Sequence, residues 1–357
     1  MFQPSEFRAL VSGHRRGLLA GMLRFGLRGV ELPYTLAVRW RNYRYDTERA
    51  TIHRVPVPVI SIGNLTLGGT GKTPMVEWLT RWFSGRQMRV ALLSRGYGAA
   101  NGEENDEARE LKEKLPHVPH LQNPDRVAAA RQAIDQFGVQ AILLDDAFQH
   151  RRLARDLDIV LLDALEPFGF GHVFPRGTLR ESVTGLRRAQ VVVLSRADIL
   201  NPSDRDAIRR EVERYAPAAA WAEVIHAPRK LLAASGQEQP LATLRGQRVA
   251  AFGGLGNPAG FRHTLQACGY QVVDFREFPD HHRYGLADLE SLTTWAARLG
   301  VAAIVCTHKD LVKLAIDHLG SCPLWAVSIG LDFLAGQNEL EQRLVALLQE
   351  TSSAAFW

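Results

Sequence analysis

Cysteine is scarce. The 357-residue chain has three, Cys268, Cys306 and Cys322, and none stands in a CxxC spacing. That argues against a disulfide framework or a cysteine zinc site and suits a reducing cytoplasm. Long apolar runs are missing too: no uncharged stretch reaches the roughly 18 residues that a membrane-spanning helix needs. Charged residues interrupt the N-terminus, and no short apolar core precedes a small-residue cleavage site, so no signal peptide is expected. There is no internal repeat and no low-complexity tract. Nothing reads as a helix-turn-helix, an RNA-recognition module or a zinc finger, so nucleic acid is not an expected partner. What remains is ample apolar sequence, 46% hydrophobic against 23% charged residues, enough for the cores of two ordinary domains.

The net charge of +5 is uneven. Residues 1–54 carry ten arginines against Glu6, Glu31, Asp46 and Glu48, which leaves the rest of the chain near neutral. Leu18, Leu19, Met22, Leu23, Phe25 and Val30 fall on one broad helical face, with Arg24 and Arg28 on the other. Four glycines weaken this helix and Pro33 is expected to end it. Beyond it, Leu36, Val38, Trp40 and Tyr43 alternate with Arg39, Arg41 and Arg44. Such a pattern suits a helix lying in a bilayer interface, or one docked by its apolar face on the protein's own core.

From residue 55 short apolar runs alternate with helical periods. Strands are expected at 57–62, 90–94, 141–145, 159–163 and 191–195, and helices at 73–83, 107–114, 126–137 and 203–215. This is the pattern of a parallel sheet covered by helices on both faces. Proline, alanine and polar residues break the rhythm over 216–240. A second, smaller alternation follows: strands at 249–252, 271–275, 303–307 and 324–328, with helices at 261–268, 286–299 and 339–349. The expected division is a basic amphipathic segment (1–54), a larger α/β domain (55–220), a linker (221–240) and a smaller α/β domain (241–357).

The strongest chemical signal is Gly68-Gly69-Thr70-Gly71-Lys72-Thr73, between a strand and a helix. Glycines let successive N–H groups converge on an anion, and the helix N-terminus adds its dipole. Lys72 would reach the β- and γ-phosphates, and the Thr73 hydroxyl would join a Mg²⁺ shell. The strict pattern places glycine where Thr66 stands. Asp145 and Asp146 end an apolar strand about 70 residues later, where such folds hold magnesium; capping of the following helix is the other reading. A P-loop NTPase fold that binds a nucleoside triphosphate with Mg²⁺ is therefore expected. No guanine reader is present, since neither Ser195-Arg196-Ala197-Asp198 nor Thr307-His308-Lys309-Asp310 fits one. Asp280-His281-His282 offers an imidazole beside an acid for acid–base work, or a histidine pair for a metal. On these residues alone a kinase and a soluble ATPase or GTPase switch, or metal-insertion NTPase, both stand.

Several strings together resemble the tetraacyldisaccharide 4′-kinases, the lipid A 4′-kinase family. They are Val57 to Pro74 around the glycine loop, Ser94-Arg95-Gly96-Tyr97-Gly98, Asp145-Asp146-Ala147-Phe148-Gln149-His150, Pro175-x-Gly177-x-Leu179-Arg180-Glu181, and Phe278-Pro279-Asp280-His281. The resemblance runs from about residue 20 to Lys309-Asp310. It implies transfer of the ATP γ-phosphate to the 4′-hydroxyl of an acylated glucosamine disaccharide 1-phosphate. It also implies a monomer at the cytoplasmic face of a bacterial inner membrane, in peripheral contact with anionic lipid through the N-terminal helix. Two α/β domains joined by a two-stranded linker, with ATP in the cleft between them, are implied as well.

The family's catalytic acids lie in Gly-Asp-Glu-Pro, matched here by Asn105-Asp106-Glu107-Ala108, which keeps the acids but neither neighbour. By resemblance, Asp106 is the base, paired with His281, and Lys72 assists the transfer. Gly68, Gly69, Thr70, Gly71, Lys72 and Thr73 hold the nucleotide, and Thr73, Glu107, Asp145 and Asp146 the metal. Arg95, Tyr97, Arg126, Arg180 and Glu181 face the disaccharide or its phosphate, with Gln149 and His150 beside the transferring group.

Overall fold

A computed structural model describes residues 4–96, 106–255, 258–279 and 282–354; the side chains of Asp106 and Glu107 are outside that description. In chain order the elements are α1 (Pro4–Val11), α2 (Leu18–Asp46), β1 (Val59–Asn64), α3 (Lys72–Ser84), β2 (Val90–Ser94), α4 (Asp106–Lys114), β3 (His120–Gln122), α5 (Arg126–Phe137), β4 (Ala141–Asp145), β5 (Leu157–Asp163), β6 (Val191–Ser195), α6 (Pro202–Tyr215), β7 (Ala220–Leu232), β8 (Glu238–Gln239), β9 (Arg248–Gly254), α7 (Pro258–Ala267), β10 (Gln271–Phe278), α8 (Leu286–Leu299), β11 (Ala303–Thr307), α9 (His308–Leu314), β12 (His318–Leu319), β13 (Cys322–Ala335) and α10 (Gln337–Ala354).

The chain forms two compact units, residues 1–95 with 117–225 and 333–357, and residues 96–116 with 226–332. These boundaries differ from those expected at 54, 220 and 240. The stretch read as a linker is mostly β7, and β7 and β13 each pass from one unit into the other. The last helix, expected in the smaller domain, belongs to the first unit. There Leu340 and Leu344 are fully buried and Arg343 donates to the Ala218 carbonyl at 3.0 Å. Helix periodicity shows that a helix buries one face, but not against which sheet.

In the first unit the strand order is β3-β2-β4-β1-β5-β6-β7, every neighbouring pair parallel. Strands β1, β2, β4, β5 and β6 are buried throughout, which is why they read as continuous apolar runs. One core packs α5 residues Val127, Ala130 and Ala133 against Ile142 and Leu144. Another packs Val212 of α6 with Val160, Leu162, Val192 and Leu194. From β1 the chain moves out to β2 and β3, returns to β4, and then crosses to β5 on the other side of β1. The C-terminal end of β1 therefore lies where strand order reverses, the usual ligand position in such sheets.

In the second unit β10, β9, β11 and β13 pair in parallel in that order. Val249 and Ala251 enter one core while Ala250 and Phe252 enter another, so β9 is covered on both faces. Here α4 is tied to α9 by Glu113 and Glu110, 3.0 and 3.8 Å from the His308 ring nitrogens.

Helix α2 runs unbroken through Pro33, where a stop was expected. Proline removes the bond to the Gly29 carbonyl, but Gly29 is exposed and water can take that carbonyl. Contacts on both sides of the proline hold the helix. Glu31 accepts from the Val173 N–H at 2.9 Å, Asn42 donates to Glu181 at 2.8 Å, and Asp46 pairs with Arg151 at 2.7 Å. The helix thus docks by its polar side. Leu18 is 91% exposed, Met22 71% and Phe25 82%, and Leu36 and Trp40 are exposed as well. Docking of the apolar face on the core, one of the two sequence readings, does not occur. Among the described residues no helix is long and apolar enough to cross a membrane.

Glycine is required at position 63. A Cβ there would stand 2.6 Å from the Phe148 Cβ and 2.7 Å from its backbone nitrogen. The close approach seats the turn after β4 against the end of β1. Gly63→Ala is expected to lower stability by about 1–3 kcal/mol, because neither backbone can yield without moving the sheet. Urea unfolding measures this, and an unchanged midpoint would contradict it.

Candidate active site

The loop after β1 turns through Gly68 (φ 112°) and Gly71 (φ 82°), left-handed values that favour glycine, and Lys72 is the first residue of α3. Thr70 within the loop is 2% exposed. The segment 173–181 runs alongside: Leu67 N–H donates to the Thr178 carbonyl, and Arg180 N–H to the Leu65 carbonyl, both at 2.7 Å. That pairing carries the Arg180 side chain to the loop. Asp146, just past β4 with φ 49°, receives it at 2.8 Å and Lys72 at 3.4 Å. Burial pushes the Asp146 carboxyl pKa up, but Lys72 and Arg180 outweigh it and hold the group well below the carboxylate range. Asp146 is thus an anion that fixes two cations at the loop, rather than a carboxylate left entirely for a metal.

Asp145 is buried at the end of β4, and Thr73 is the second residue of α3. Among the described residues no group of three or more His, Cys, Asp or Glu side chains could hold a metal alone. A hydroxyl and a carboxylate fit Mg²⁺ that takes its other ligands from phosphates and water.

Arg126 opens α5 and is 2% exposed, with no hydrogen-bond partner at Nε among the described residues. Burial lowers its pKa, while the charges of Asp145 and Asp146 oppose the shift and Arg95 adds to it. Arg95, Arg126 and the two aspartates are thus electrostatic neighbours. Gln149 gives both N–H groups away, to the Asn64 carbonyl at 2.9 Å and to Glu181 at 3.1 Å. Glu181 is 1% exposed and also takes Arg188 at 2.7 Å and Asn42 at 2.8 Å. Expected to face substrate, Glu181 is instead a buried anchor that orients Gln149 and ties α2 to the loop after segment 173–181.

Burial, reinforced by Arg126, Arg155 and Arg152, pushes the His150 imidazole down from 6.5 to about 4, so it is neutral at pH 7. Between pH 6.5 and 4 the unfolded chain binds more protons at this residue than the native chain does. Its contribution is therefore complete above about pH 6.5 and is lost as pH falls toward 4. His150→Gln is expected to flatten the acid side of stability in that window. Urea unfolding at pH 7.5, 6 and 5 tests this; an unchanged slope contradicts it.

Tyr97 and His281 lie outside the described residues, and Asp106 and Glu107 open α4 in the second unit. The two rejected guanine readers have structural explanations. Asp310 is wholly buried, accepting from Thr307 Oγ1 at 2.6 Å, Tyr284 Oη at 2.9 Å and Gly254 N–H at 3.1 Å, and burial raises its pKa. Arg196 donates to the Gly69 carbonyl at 3.0 Å and to Asp163 at 2.6 Å. Sequence reading gave neither Arg196 nor Asp163 a role; their positions, at and just past the ends of β5 and β6 near β1, were the available signal. His282 is held by Asp288 at 3.0 Å beside the rings of Phe278 and Tyr284.

A parallel sheet with a glycine loop, a helix-opening lysine and strand-terminal aspartates defines a P-loop kinase fold. The chain matches the LpxK family, tetraacyldisaccharide-1-P 4′-kinase, over residues 23–349. It is 42% identical to the tetraacyldisaccharide 4′-kinase of Anaeromyxobacter sp. (strain K), with 96% of each chain covered. The corresponding protein of Geobacter sulfurreducens is 35% identical, with 90% of this chain and 92% of that one covered. The solved structure of LpxK from Aquifex aeolicus in complex with ATP superposes with a TM-score of 0.71 at 28% identity, covering 91% of this chain and 99% of that one. This chain belongs to the tetraacyldisaccharide-1-P 4′-kinase family and is an ATP-dependent kinase of lipid A biosynthesis.

Proposed function

We propose that, in moving the γ-phosphate of ATP to the 4′-hydroxyl of a tetraacyldisaccharide 1-phosphate, the glycine loop and Lys72 hold and neutralise the phosphates. The observation that carries this reading is the convergence of Lys72 and Arg180 on Asp146 at the mouth of a loop that opens a helix. Phosphoryl transfer needs alignment and charge neutralisation more than covalent help, and both cations are held in place before any ligand arrives. Thr73 and Asp145, with Asp146 and Glu107, would hold Mg²⁺, which supplies further positive charge to the phosphates. Asp106 accepts the 4′-hydroxyl proton, paired with His281. Arg95, Tyr97, Arg126 and Arg180 recognise the disaccharide and its phosphate; the Arg126 Nε, without a hydrogen-bond partner among the described residues, supports an anionic ligand there. The neutral His150 ring and Gln149 line the transferring group. Incubation with γ-labelled ATP, Mg²⁺ and detergent-dispersed acceptor tests the whole assignment. Label at the 4′ position is expected, and ATP binding without lipid labelling would overturn it.

The outward apolar face of α2, flanked by Arg24, Arg28, Arg39, Arg41 and Arg44, supports peripheral docking on an anionic bilayer at the cytoplasmic face of an inner membrane. The protein acts there as a monomer. The expected result is co-sedimentation with phosphatidylglycerol-containing vesicles that weakens at least about tenfold in Phe25→Glu/Trp40→Glu, with ATP binding unchanged. Equal sedimentation of both proteins would remove α2 from the role.

A further inference from the structure

We propose that Arg196 is a positioning residue for the phosphate loop: anchored on Asp163, its guanidinium holds the Gly69 carbonyl and so turns the Thr70 N–H toward the nucleotide's phosphates. The inference rests on the reading that residues 68–73 hold ATP.

The arrangement follows from the sheet. β5 lies between β1 and β6, and Asp163 at its end pairs in register with Ser195 at the end of β6. The next residue, Arg196, adopts φ 58°, a left-handed conformation that an arginine rarely takes. That turn sends its side chain back across the strand ends. One terminal nitrogen donates to Asp163 Oδ2 at 2.6 Å and the other to the Gly69 carbonyl at 3.0 Å. The remaining Asp163 oxygen accepts the Leu165 N–H at 3.1 Å, so the carboxylate cannot rotate away. Both side chains are nearly buried, 11% and 9% exposed, where the pair is poorly screened by water.

In a trans peptide the C=O and N–H of one unit point in opposite directions. Fixing the Gly69 carbonyl toward Arg196 therefore fixes the Thr70 N–H away from it. The same contact engages a carbonyl oxygen whose negative end would otherwise be free to turn toward an anion. Gly69 has no side chain to hold its peptide, and among the described residues nothing lies within 4 Å of a would-be Cβ, so no side-chain packing at Gly69 sets this orientation. Arginine suits the task because its planar fork serves two acceptors in a set geometry, which one ammonium cannot do equally well. The competing explanation is that Arg196 only balances the buried Asp163 charge.

The test uses the full-length protein. Arg196→Gln/Asp163→Asn removes cation and anion together and leaves no buried unpaired charge. It is expected to raise the KM for ATP at least tenfold, with the KM for the lipid acceptor within twofold of the parent and a melting temperature within a few degrees. Arg196→Lys, which keeps the ion pair but cannot serve both acceptors equally well, should leave the KM for ATP raised several-fold; a KM restored to that of the parent would reduce Arg196 to charge balance and overturn the brace. An unchanged KM for ATP in the double variant overturns the proposal. So does an equal rise in both KM values, since a general structural defect moves them together. Lys72→Ala separates the two levels. If it weakens ATP while the double variant does not, only the brace fails; if Lys72→Ala itself leaves ATP binding and turnover unchanged, the loop reading fails.

Discussion

Lys72→Ala is expected to lower turnover by about a hundred- to a thousand-fold and to weaken ATP binding with it. Lys72 opens α3, so its charge adds to the helix dipole at the place where backbone N–H groups converge. Its ammonium is already placed, 3.4 Å from Asp146, and little of the barrier should go to reordering it. Removing it takes away positive charge that matters more as the phosphoryl group leaves its bridging oxygen than in the ground state. The loss should therefore appear in kcat as well as in KM. Arg180 stays on Asp146 at 2.8 Å in the variant, so that carboxylate keeps a counter-ion and the fold should survive. Lys72→Arg is not expected to rescue the activity, because a planar fork does not fit a point-charge position in a tight loop. Steady-state kinetics in both substrates, with a melting curve, decides the matter; wild-type turnover in folded Lys72→Ala would dismiss the P-loop assignment.

Asp106→Ala should produce a different kinetic pattern: turnover lower by about a hundred- to ten-thousand-fold with ATP binding nearly intact. A sugar hydroxyl is a weak acid, and transfer to it requires a base that takes the proton as the new bond forms. Asp106 is the first described residue of α4. Nucleotide-displacement binding beside lipid-kinase turnover separates the two effects. Turnover within threefold of the parent would remove Asp106 from the role and return the search to the acids that follow it on α4.

Much of the framework was legible because it depends on local patterns. Helix α5 begins where Asp125 accepts the Val127 and Ala128 N–H groups and ends at left-handed Gly138, and its bounds match those read from sequence. Strands β2, β4, β6 and β11 also match. Parallel strands covered on both faces are nearly all apolar, and polar turns bound them. The glycine loop was legible because its conformation requires glycine whatever surrounds it. Glu181 was misread for the opposite reason. The resemblance placed it toward the substrate, and only the approach of Asn42 and Gln149, remote in sequence, together with Arg188, makes it a buried anchor. Arg196 drew notice as a failed base reader, and its contact with Gly69 spans 127 positions of chain.

By itself the sequence determined the class of sheet, the phosphate loop, its lysine, the strand-terminal aspartates and the basic amphipathic character of α2. Each rests on periodicity, backbone conformation or charge within a few residues. The tertiary structure alone decided that α2 continues past Pro33 with its polar side inward, that α10 belongs with the first unit, and that Arg180 and Lys72 share Asp146. Those outcomes depend on which distant surfaces meet, because hydrogen bonds and ion pairs act over a few ångströms and strand order sets which residues come that close.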